Sequence, residues 1–281
     1  MNKIPITQYS IAIEDYVMAY QSFIYEVTDG IATVRLNDPD KLNALTFQTY
    51  EELERLFAGL VHDNQVKVVI ITGSGKGFCS GGSVHEIIGK LIDMSADELH
   101  RFTRMTCNVT KHMRNLKKPI IAAVNGIAAG AGAMLALASD FRLVSDRAKF
   151  AFLFVKVGLS GADMGALYLL PRVVGLGKAT ELLFLGDTID AQEAYRIGLA
   201  NRVVEHEKLL HQAHELARRL KQGPLNALGV TKDLLEREAS MGLENALTLE
   251  ATAQAGCMET ADFREGYRAF VDKRAPVFNR S

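Results

Sequence analysis

Residues 119–139 read PIIAAVNGIAAGAGAMLALAS and carry no charged side chain. A stretch this long and apolar approaches the length of a membrane-spanning helix. Asn125-Gly126 is a turn signal inside this stretch. The segment before the turn is short and rich in β-branched residues, as in a buried strand. The residues after it are small or apolar, as in a buried helix. We therefore predict a strand, a turn and a buried helix within an α/β core.

The segments on the N-terminal side continue this alternation of strands and helices. Residues 66–72, VKVVIIT, are apolar apart from one lysine and predict a buried parallel strand. Residues 23–36 predict a β-hairpin that turns at Asp29-Gly30. Thr46 is a candidate cap for the helix that follows. Together these patterns favour the α/β class.

The pattern beyond residue 178 is almost entirely helical, interrupted by one edge-strand candidate, ANRVV at residues 200–204. We accordingly predict an N-terminal extension over residues 1–22, a core over residues 23–205 and a helical C-terminal region over residues 206–281. No internal repeat or low-complexity linker separates these parts.

Charge and cysteine content exclude several classes of function. The chain has 281 residues with 32 basic and 33 acidic side chains, and it lacks the basic stripe of a nucleic-acid binder. Its three cysteines, Cys79, Cys107 and Cys257, are too widely spaced for a disulfide framework or a CxxC metal motif. The first residues lack the apolar core of a signal peptide. We expect a cytoplasmic protein with no metal site, no nucleic-acid partner and no membrane span.

Two glycine-rich loops form the candidate site. The first, FCSGGS at residues 78–83, follows the predicted strand, and the second, GAG at residues 130–132, opens the buried helix. Ligands of parallel α/β units bind where strands lead into helices, and glycine lets a ligand approach the backbone closely. Two unpaired N–H groups aimed at one point would form an oxyanion hole. Neither loop has the GxxxxGK[ST] pattern of a phosphate-binding loop.

Five segments in order resemble the crotonase superfamily, the enoyl-CoA hydratases and isomerases. They are DKLNALT at 40–46, ITGSGKGFCSGGSVHEI at 71–87, KKPIIAAVNGIAAGAG at 117–132, the run from LPRVVG to ANRVV at 170–204, and FREGYRAFVDKRAPVF at 263–278. The resemblance implies a spiral of repeated ββα units whose C-terminal helical region forms trimers or dimers of trimers. It also implies an acyl-CoA substrate and no separate cofactor, because CoA is part of the substrate.

The resemblance also assigns site residues by position. The backbone amides of Ser80 and Ala131 would form the oxyanion hole. The implied substrate-binding residues are Lys41, Leu42, Ala44, Gly81, His85, Met134, Phe154, Phe270 and Lys273. Phe270 and Lys273 would reach CoA from a neighbouring subunit. A solvated helix position for Lys273, and an exposed first-turn position for His85, are the alternative interpretations.

Two positions depart from the hydratases of this family. Those enzymes use two glutamates that hold water and transfer protons, whereas this chain has Met134 at the first position and Phe154 near the second. Since neither side chain transfers protons, hydration by that mechanism is not expected. An apolar wall at these positions favours a bulky or aromatic acyl group.

Asp163 is the candidate replacement for the missing carboxylates. Counted back from Leu170-Pro171-Arg172, it coincides with a position where some members of the family place a catalytic aspartate. Counting forward from Lys149-Phe150 requires a one-residue insertion. A desolvated aspartate could act as a base or as a nucleophile. It could also be an N-cap or first-turn residue of the next helix.

The leading hypothesis is an enzyme, a lyase or isomerase, that stabilises a thioester enolate or tetrahedral anion. Isomerisation, or chemistry on an aryl or cyclic acyl group, is favoured over simple hydration. Two alternatives stay open: a non-catalytic acyl-CoA-binding or assembly protein, and a plain enoyl-CoA hydratase that uses Asp163. All three place an acyl-CoA ligand on the two glycine-rich loops.

Overall fold

The computed structural model describes residues 20–278. Strands and helices are interspersed up to residue 204, and only helices follow. The strands are β1 (Phe23–Thr28), β2 (Ile31–Leu36), β3 (Val68–Gly73), β4 (Gly77–Cys79), β5 (Ile120–Val124), β6 (Ile127–Ala129), β7 (Phe141–Ser145), β8 (Lys149–Ala151), β9 (Thr188–Asp190) and β10 (Arg202–Val204). The helices are α1 (Phe47–Gly59), α2 (Gly89–Leu91), α3 (Ala96–Asn115), α4 (Ala131–Ala138), α5 (Ala166–Val174), α6 (Leu176–Leu185), α7 (Ala191–Arg196), α8 (Leu209–Gln222), α9 (Leu225–Glu238), α10 (Leu243–Met258) and α11 (Ala261–Val271). Residues 1–19 of the predicted N-terminal extension lie outside this part.

Two sheets divide the strands between them. The large sheet has the order β1-β2-β3-β5-β7-β10 and the small sheet the order β4-β6-β8-β9. β1 pairs antiparallel with β2, and the other neighbours in the large sheet are parallel. In the small sheet β4, β6 and β8 are parallel and β9 is antiparallel. From β3 to β8, successive strands therefore alternate between the two sheets. The mixed strands and helices confirm the predicted α/β class.

The hairpin and the first helix form as local chemistry predicts. Asp29 and Gly30 have φ values of 50° and 73°, and two consecutive left-handed residues are what a tight two-residue hairpin turn requires. At the start of α1, the Thr46 hydroxyl accepts a hydrogen bond from the Thr49 N–H at 3.2 Å. The Thr49 hydroxyl in turn accepts one from the Thr46 N–H at 3.2 Å. This reciprocal pair confirms the predicted cap.

The uncharged stretch at residues 119–139 contains β5, β6 and the eight-residue α4. The strand, turn and buried helix are thus confirmed, while the short strand β6 was not predicted. β4 and β9 were missed as well, because three residues are too few to show a periodic pattern. Within residues 20–278 no helix has both the length and the apolar character to cross a membrane.

The main core fills the space between the sheets and helices α1, α3 and α4, and α4 is buried along its whole length. A smaller cluster covers the other face of the large sheet, where Ala213 and Ala217 of α8 pack with Val68 and Ile70 of β3. This packing joins the start of the predicted C-terminal region to the core. Helices α9, α10 and α11 follow and pack on one another.

Candidate active site

The two glycine-rich loops leave the small sheet side by side. β4 and β6 are parallel neighbours with Cys79 paired to Ala128, so the chain leaves both strands at the same edge. Residues 80–82 follow β4, and Gly130 and Ala131 follow β6. This is the edge at which parallel sheets bind ligands. The structure therefore brings the two predicted loops together.

Within the first loop, the Ser80 amide is already engaged. Its N–H donates to the carbonyl oxygen of Leu42 at 3.0 Å. The Ser83 N–H donates to Leu45 O at 2.9 Å. The Gly82 N–H, in contrast, has no acceptor among the residues that the structure describes. The prediction that Ser80 supplies an oxyanion donor is corrected accordingly, because an N–H paired with a carbonyl is not available to a ligand. The N–H of this loop that the described residues leave open is that of Gly82.

The second loop leaves its predicted amide open. The Gly130 N–H donates to Ala151 O at 2.9 Å, which ties this loop to β8. Ala131 is the first residue of α4, and the N–H groups of a first helical turn have no partner within the helix. A Cβ added to Gly81 would lie 2.8 Å from Ala129 O and 3.5 Å from Ala131 N. The missing side chain at Gly81 is therefore what lets the two loops meet.

Gly132 fixes the start of α4 against β4. A Cβ at this position would lie 2.1 Å from the carbonyl oxygen of Cys79, far inside any real contact distance. Cys79 is fully buried, and burial raises the pKa of its thiol to about 12. The cysteine beside the loops is thus a protonated packing group and not a nucleophile at neutral pH.

The two positions where the related hydratases carry glutamate are apolar here. Met134 lies on α4 and is fully buried, and Phe154 lies in a short 3₁₀-helix, Leu153–Val157, with 5% of its surface exposed. Since β8 leads directly into that 3₁₀-helix, both side chains belong to elements that start at the same sheet edge. They supply hydrophobic surface and no proton-transfer group.

Asp163 lies in the loop between this 3₁₀-helix and α5. Burial raises its pKa, and the nearby Met164 backbone and Thr106 side chain oppose that rise. The N-cap of α5 is Gly165, so Asp163 does not occupy the capping position that was its alternative interpretation. Met164 is fully buried with a φ of 44°. A left-handed methionine is strained, and the strain lies directly beside this carboxyl.

Tyr50 of α1 connects Asp163 to the first amide loop. Its hydroxyl oxygen lies 3.8 Å from the place that a Cβ on Gly82 would occupy. Tyr50 is 3% exposed, and burial together with the charge of Asp163 holds its pKa well above the ordinary value. Gly82 and the Tyr50 hydroxyl are therefore neighbours, and the half-buried Asp163 carboxyl is near enough for its charge to act on that hydroxyl.

The loop predicted to hold the CoA nucleotide lies along the first amide loop. The Asn43 side chain donates to Gly77 O at 2.8 Å and to Ser74 O at 2.9 Å, which pins the loop containing Lys41, Leu42 and Ala44. Lys41 Nζ donates to Glu86 Oε1 at 2.9 Å. This carboxylate raises the pKa of Lys41 and holds its ammonium group beside the loop.

The remaining predicted residues lie further out. His85 is exposed at the start of the π-helical turn Val84–Ile88 that leads into α2. Phe270 on α11 is 85% exposed, and Lys273 follows in the turn after the helix with a φ of 53°. α11 packs against α10 of the same chain. The assignment of Phe270 and Lys273 to the CoA of a neighbouring subunit stays a prediction.

Gly82, Tyr50 and Thr106 are candidate site residues that sequence reasoning missed. Gly82 could have been found from the CSGG run, because the second glycine lies closer to the following helix. Tyr50 and Thr106 carry only the signal of buried helix positions. In the described part of the chain no cluster of three or more His, Cys, Asp or Glu side chains is placed to hold a metal ion.

Comparison with known proteins gives a consistent result. The sequence model of the family described as Enoyl-CoA hydratase/isomerase matches residues 26–281. The 1,2-epoxyphenylacetyl-CoA isomerase of Escherichia coli K12 is 35% identical, with 90% of this chain and 96% of that protein covered. The crotonyl-CoA hydratase of Syntrophomonas wolfei is 36% identical, with 93% and 99% covered.

A crystal structure from Streptomyces coelicolor A3(2), provisionally named an enoyl-CoA hydratase, superposes with a TM-score of 0.92. It is 48% identical, and the superposition covers 98% of this chain and all of that one. The predicted crotonase-like fold is thereby confirmed. The Escherichia coli and Syntrophomonas wolfei relatives are named for different reactions, an isomerisation and a hydration.

Proposed function

The chain belongs to the enoyl-CoA hydratase/isomerase family and acts on acyl-CoA, and we propose that it moves a double bond in a bulky or aromatic acyl group. The observation that carries this proposal is Asp163, a carboxyl whose pKa is raised by burial. The two positions of the hydratase glutamates, Met134 and Phe154, are buried and apolar. Asp163 is thus the proton-transfer group that fits the site.

In this proposal the backbone holds the thioester. The N–H groups of Gly82 and Ala131 would donate to the thioester oxygen at about 3 Å. Negative charge develops on that oxygen when a proton leaves the adjacent carbon. Backbone donors are held in place before the reaction and need no reorganisation, and one such donor contributes roughly 10²–10³ in rate.

Asp163 would then carry the proton. For a 3-enoyl thioester, the carboxylate removes a proton from carbon 2, and the electron pair of that C–H bond enters a dienolate. The double bond moves to carbons 2 and 3 as the proton returns at carbon 4. One proton leaves and one returns, so the step consumes no water, and the proposal includes no cofactor beyond the CoA of the substrate.

We further propose that the active protein is a homotrimer or a dimer of trimers. The support is an open cavity of about 960 Å³ between α9, α10 and α11, lined by Leu247, Phe263 and Phe270 among others. These three side chains are 54%, 54% and 85% exposed in the single chain. Large exposed apolar surfaces of this kind are typical of protein interfaces. Sedimentation equilibrium distinguishes a trimer from a monomer.

The substitution Asp163→Asn tests the proposed chemistry. It keeps the shape and removes the base, so turnover of 3-enoyl-CoA substrates with aliphatic and aryl chains should fall at least 10²-fold. Asp29→Asn is the matched control, because Asp29 is 73% exposed at the hairpin turn. Wild-type turnover by Asp163→Asn would refute the role of Asp163.

The same assay separates the rival functions. Rapid hydration of crotonyl-CoA that depends on Asp163 would favour a plain hydratase, the activity for which one relative is named. Binding of several acyl-CoA thioesters without turnover of any would favour a non-catalytic binding protein. Isomerisation of 3-enoyl thioesters with little hydration is the result that we expect.

A further inference from the structure

Tyr50 has a hydroxyl group that the fold does not use. The residue lies on α1 and is 3% exposed, and its ring packs edge-on against Phe102 with centroids 5.7 Å apart. Its hydroxyl makes no hydrogen bond to another group among residues 20–278, yet it is not one of the fully enclosed unpaired side-chain oxygens of this part, which are Thr110 Oγ1 and Glu238 Oε1. The oxygen of this otherwise buried side chain therefore reaches open space, where a ligand can pair with it.

The position of this oxygen points to the acyl group. It lies 3.8 Å from the Cβ position of Gly82, next to the Ile87 side chain, whose Cγ2 lies 3.7 Å from the same point. The charge of Asp163 also acts on it. An acyl chain that runs from the amides toward Asp163 would pass this hydroxyl.

The thioester oxygen is not the best partner for Tyr50. A carbonyl oxygen has two lone pairs, and the amides of Gly82 and Ala131 already supply two donors. A second oxygen, on the acyl chain itself, would satisfy the phenol. A carboxylate there would be repelled by the neighbouring Asp163, so a neutral oxygen fits the site better.

We propose that Tyr50 is a specificity-determining residue that hydrogen-bonds a neutral oxygen substituent (a hydroxyl, oxo or epoxide group) on the acyl chain. This inference rests on acyl-CoA binding at the amide loops and deepens the proposed function by naming a substrate class. It does not depend on the role of Asp163 in proton transfer. The hydrogen bond selects oxygenated acyl groups over plain hydrocarbon ones, since a buried polar group left unpaired opposes binding.

The test is binding of hexanoyl-CoA and of its derivatives with one hydroxyl on carbon 3, 4, 5 or 6. Isothermal titration of the intact protein should give at least one derivative that binds about tenfold more tightly than hexanoyl-CoA. Tyr50→Phe should lose that preference and bind hexanoyl-CoA as the parent does. Tyr25→Phe, a substitution on β1, is the matched control and should keep the preference.

Three results would overturn the inference. They are no preference for any hydroxyl position in the parent, a preference that survives in Tyr50→Phe, and an equal loss of affinity for all five ligands. The melting temperature of Tyr50→Phe should not fall, because the hydroxyl has no partner to lose. Asp163→Asn should keep the hydroxyl preference, so failure of the proposed chemistry and failure of this inference give different results.

Discussion

Replacing Gly132 by alanine puts a methyl group into the contact that holds the two amide loops together. Its Cβ would lie 2.1 Å from the carbonyl oxygen and 2.7 Å from the Cβ of Cys79. Nonbonded heavy atoms are most stable at roughly 3.5–4.0 Å. The start of α4 must therefore move away from β4 by about 1 Å or more. Ala131 immediately precedes Gly132, so its N–H moves with it.

The displacement predicts a larger effect on catalysis than on folding. A misplacement of about 1 Å costs roughly 10²-fold in rate, and overpacking a core costs about 1–3 kcal/mol of stability. We expect kcat/KM for an acyl-CoA substrate to fall about 10²-fold, with the variant still folded. Turnover assays, together with thermal unfolding, measure the two effects separately.

Gly177→Ala is the matched control for this experiment. Gly177 is the second residue of α6, as Gly132 is of α4. Among the described residues, no atom beyond its chain neighbours and its own helix backbone lies within 4 Å of its added Cβ. Alanine is the better helix former, so this control should be slightly more stable and fully active. A folded Gly132→Ala protein with parental kcat/KM would refute the role assigned to the loop contact.

Three further predictions concern single side chains. Asp163→Asn should raise the free energy of unfolding at pH 7: burial raises the pKa of Asp163, so the folded state loses stability as pH rises through that pKa. Denaturant titrations should show that this gain in stability vanishes at pH 3, where Asp163 of the parent is protonated in both the folded and the unfolded state. An Asp163→Asn protein that is less stable than the parent at pH 7 would contradict the raised pKa. Lys41→Met should raise KM for acyl-CoA about tenfold and leave KM for acyl-N-acetylcysteamine unchanged, because only CoA carries phosphate groups. Equal changes in KM for both substrates would show that Lys41 does not bind the CoA nucleotide. Iodoacetamide should alkylate exposed Cys107 and spare Cys79, as peptide mass spectrometry would show, and equal labelling would contradict the burial of Cys79.

Local patterns predicted the parts of the fold that depend on neighbouring residues. The turn at Asp29-Gly30, the Thr46 cap and the buried strand β3 each follow from a few consecutive side chains. The short strands β4 and β6 could not be predicted, since three residues show no periodicity and their pairing is between distant segments. Those pairings nevertheless determine where the two amide loops meet.

In the first loop, the amide predicted as a donor, Ser80, lies two residues before the N–H that the fold leaves open. The sequence identifies CSGG as the amide loop, but which N–H is open depends on the backbone of Leu42 and Leu45, which pairs with Ser80 and Ser83. That pairing is tertiary and leaves Gly82 open. Tyr50 illustrates the same limit, because helical periodicity predicts its burial and says nothing about an unpaired hydroxyl beside Gly82.

Proton exchange at the acyl group tests the central claim most directly. The protein is incubated in D₂O with a 3-enoyl-CoA, and deuterium at carbons 2 and 4 is followed by NMR. The parent should move the double bond, with deuterium entering to the extent that the Asp163 carboxyl exchanges with solvent before it returns a proton. In Asp163→Asn, movement of the double bond and entry of deuterium should both be slower by at least 10²-fold. Incorporation at the parental rate by Asp163→Asn would show that another group carries the proton.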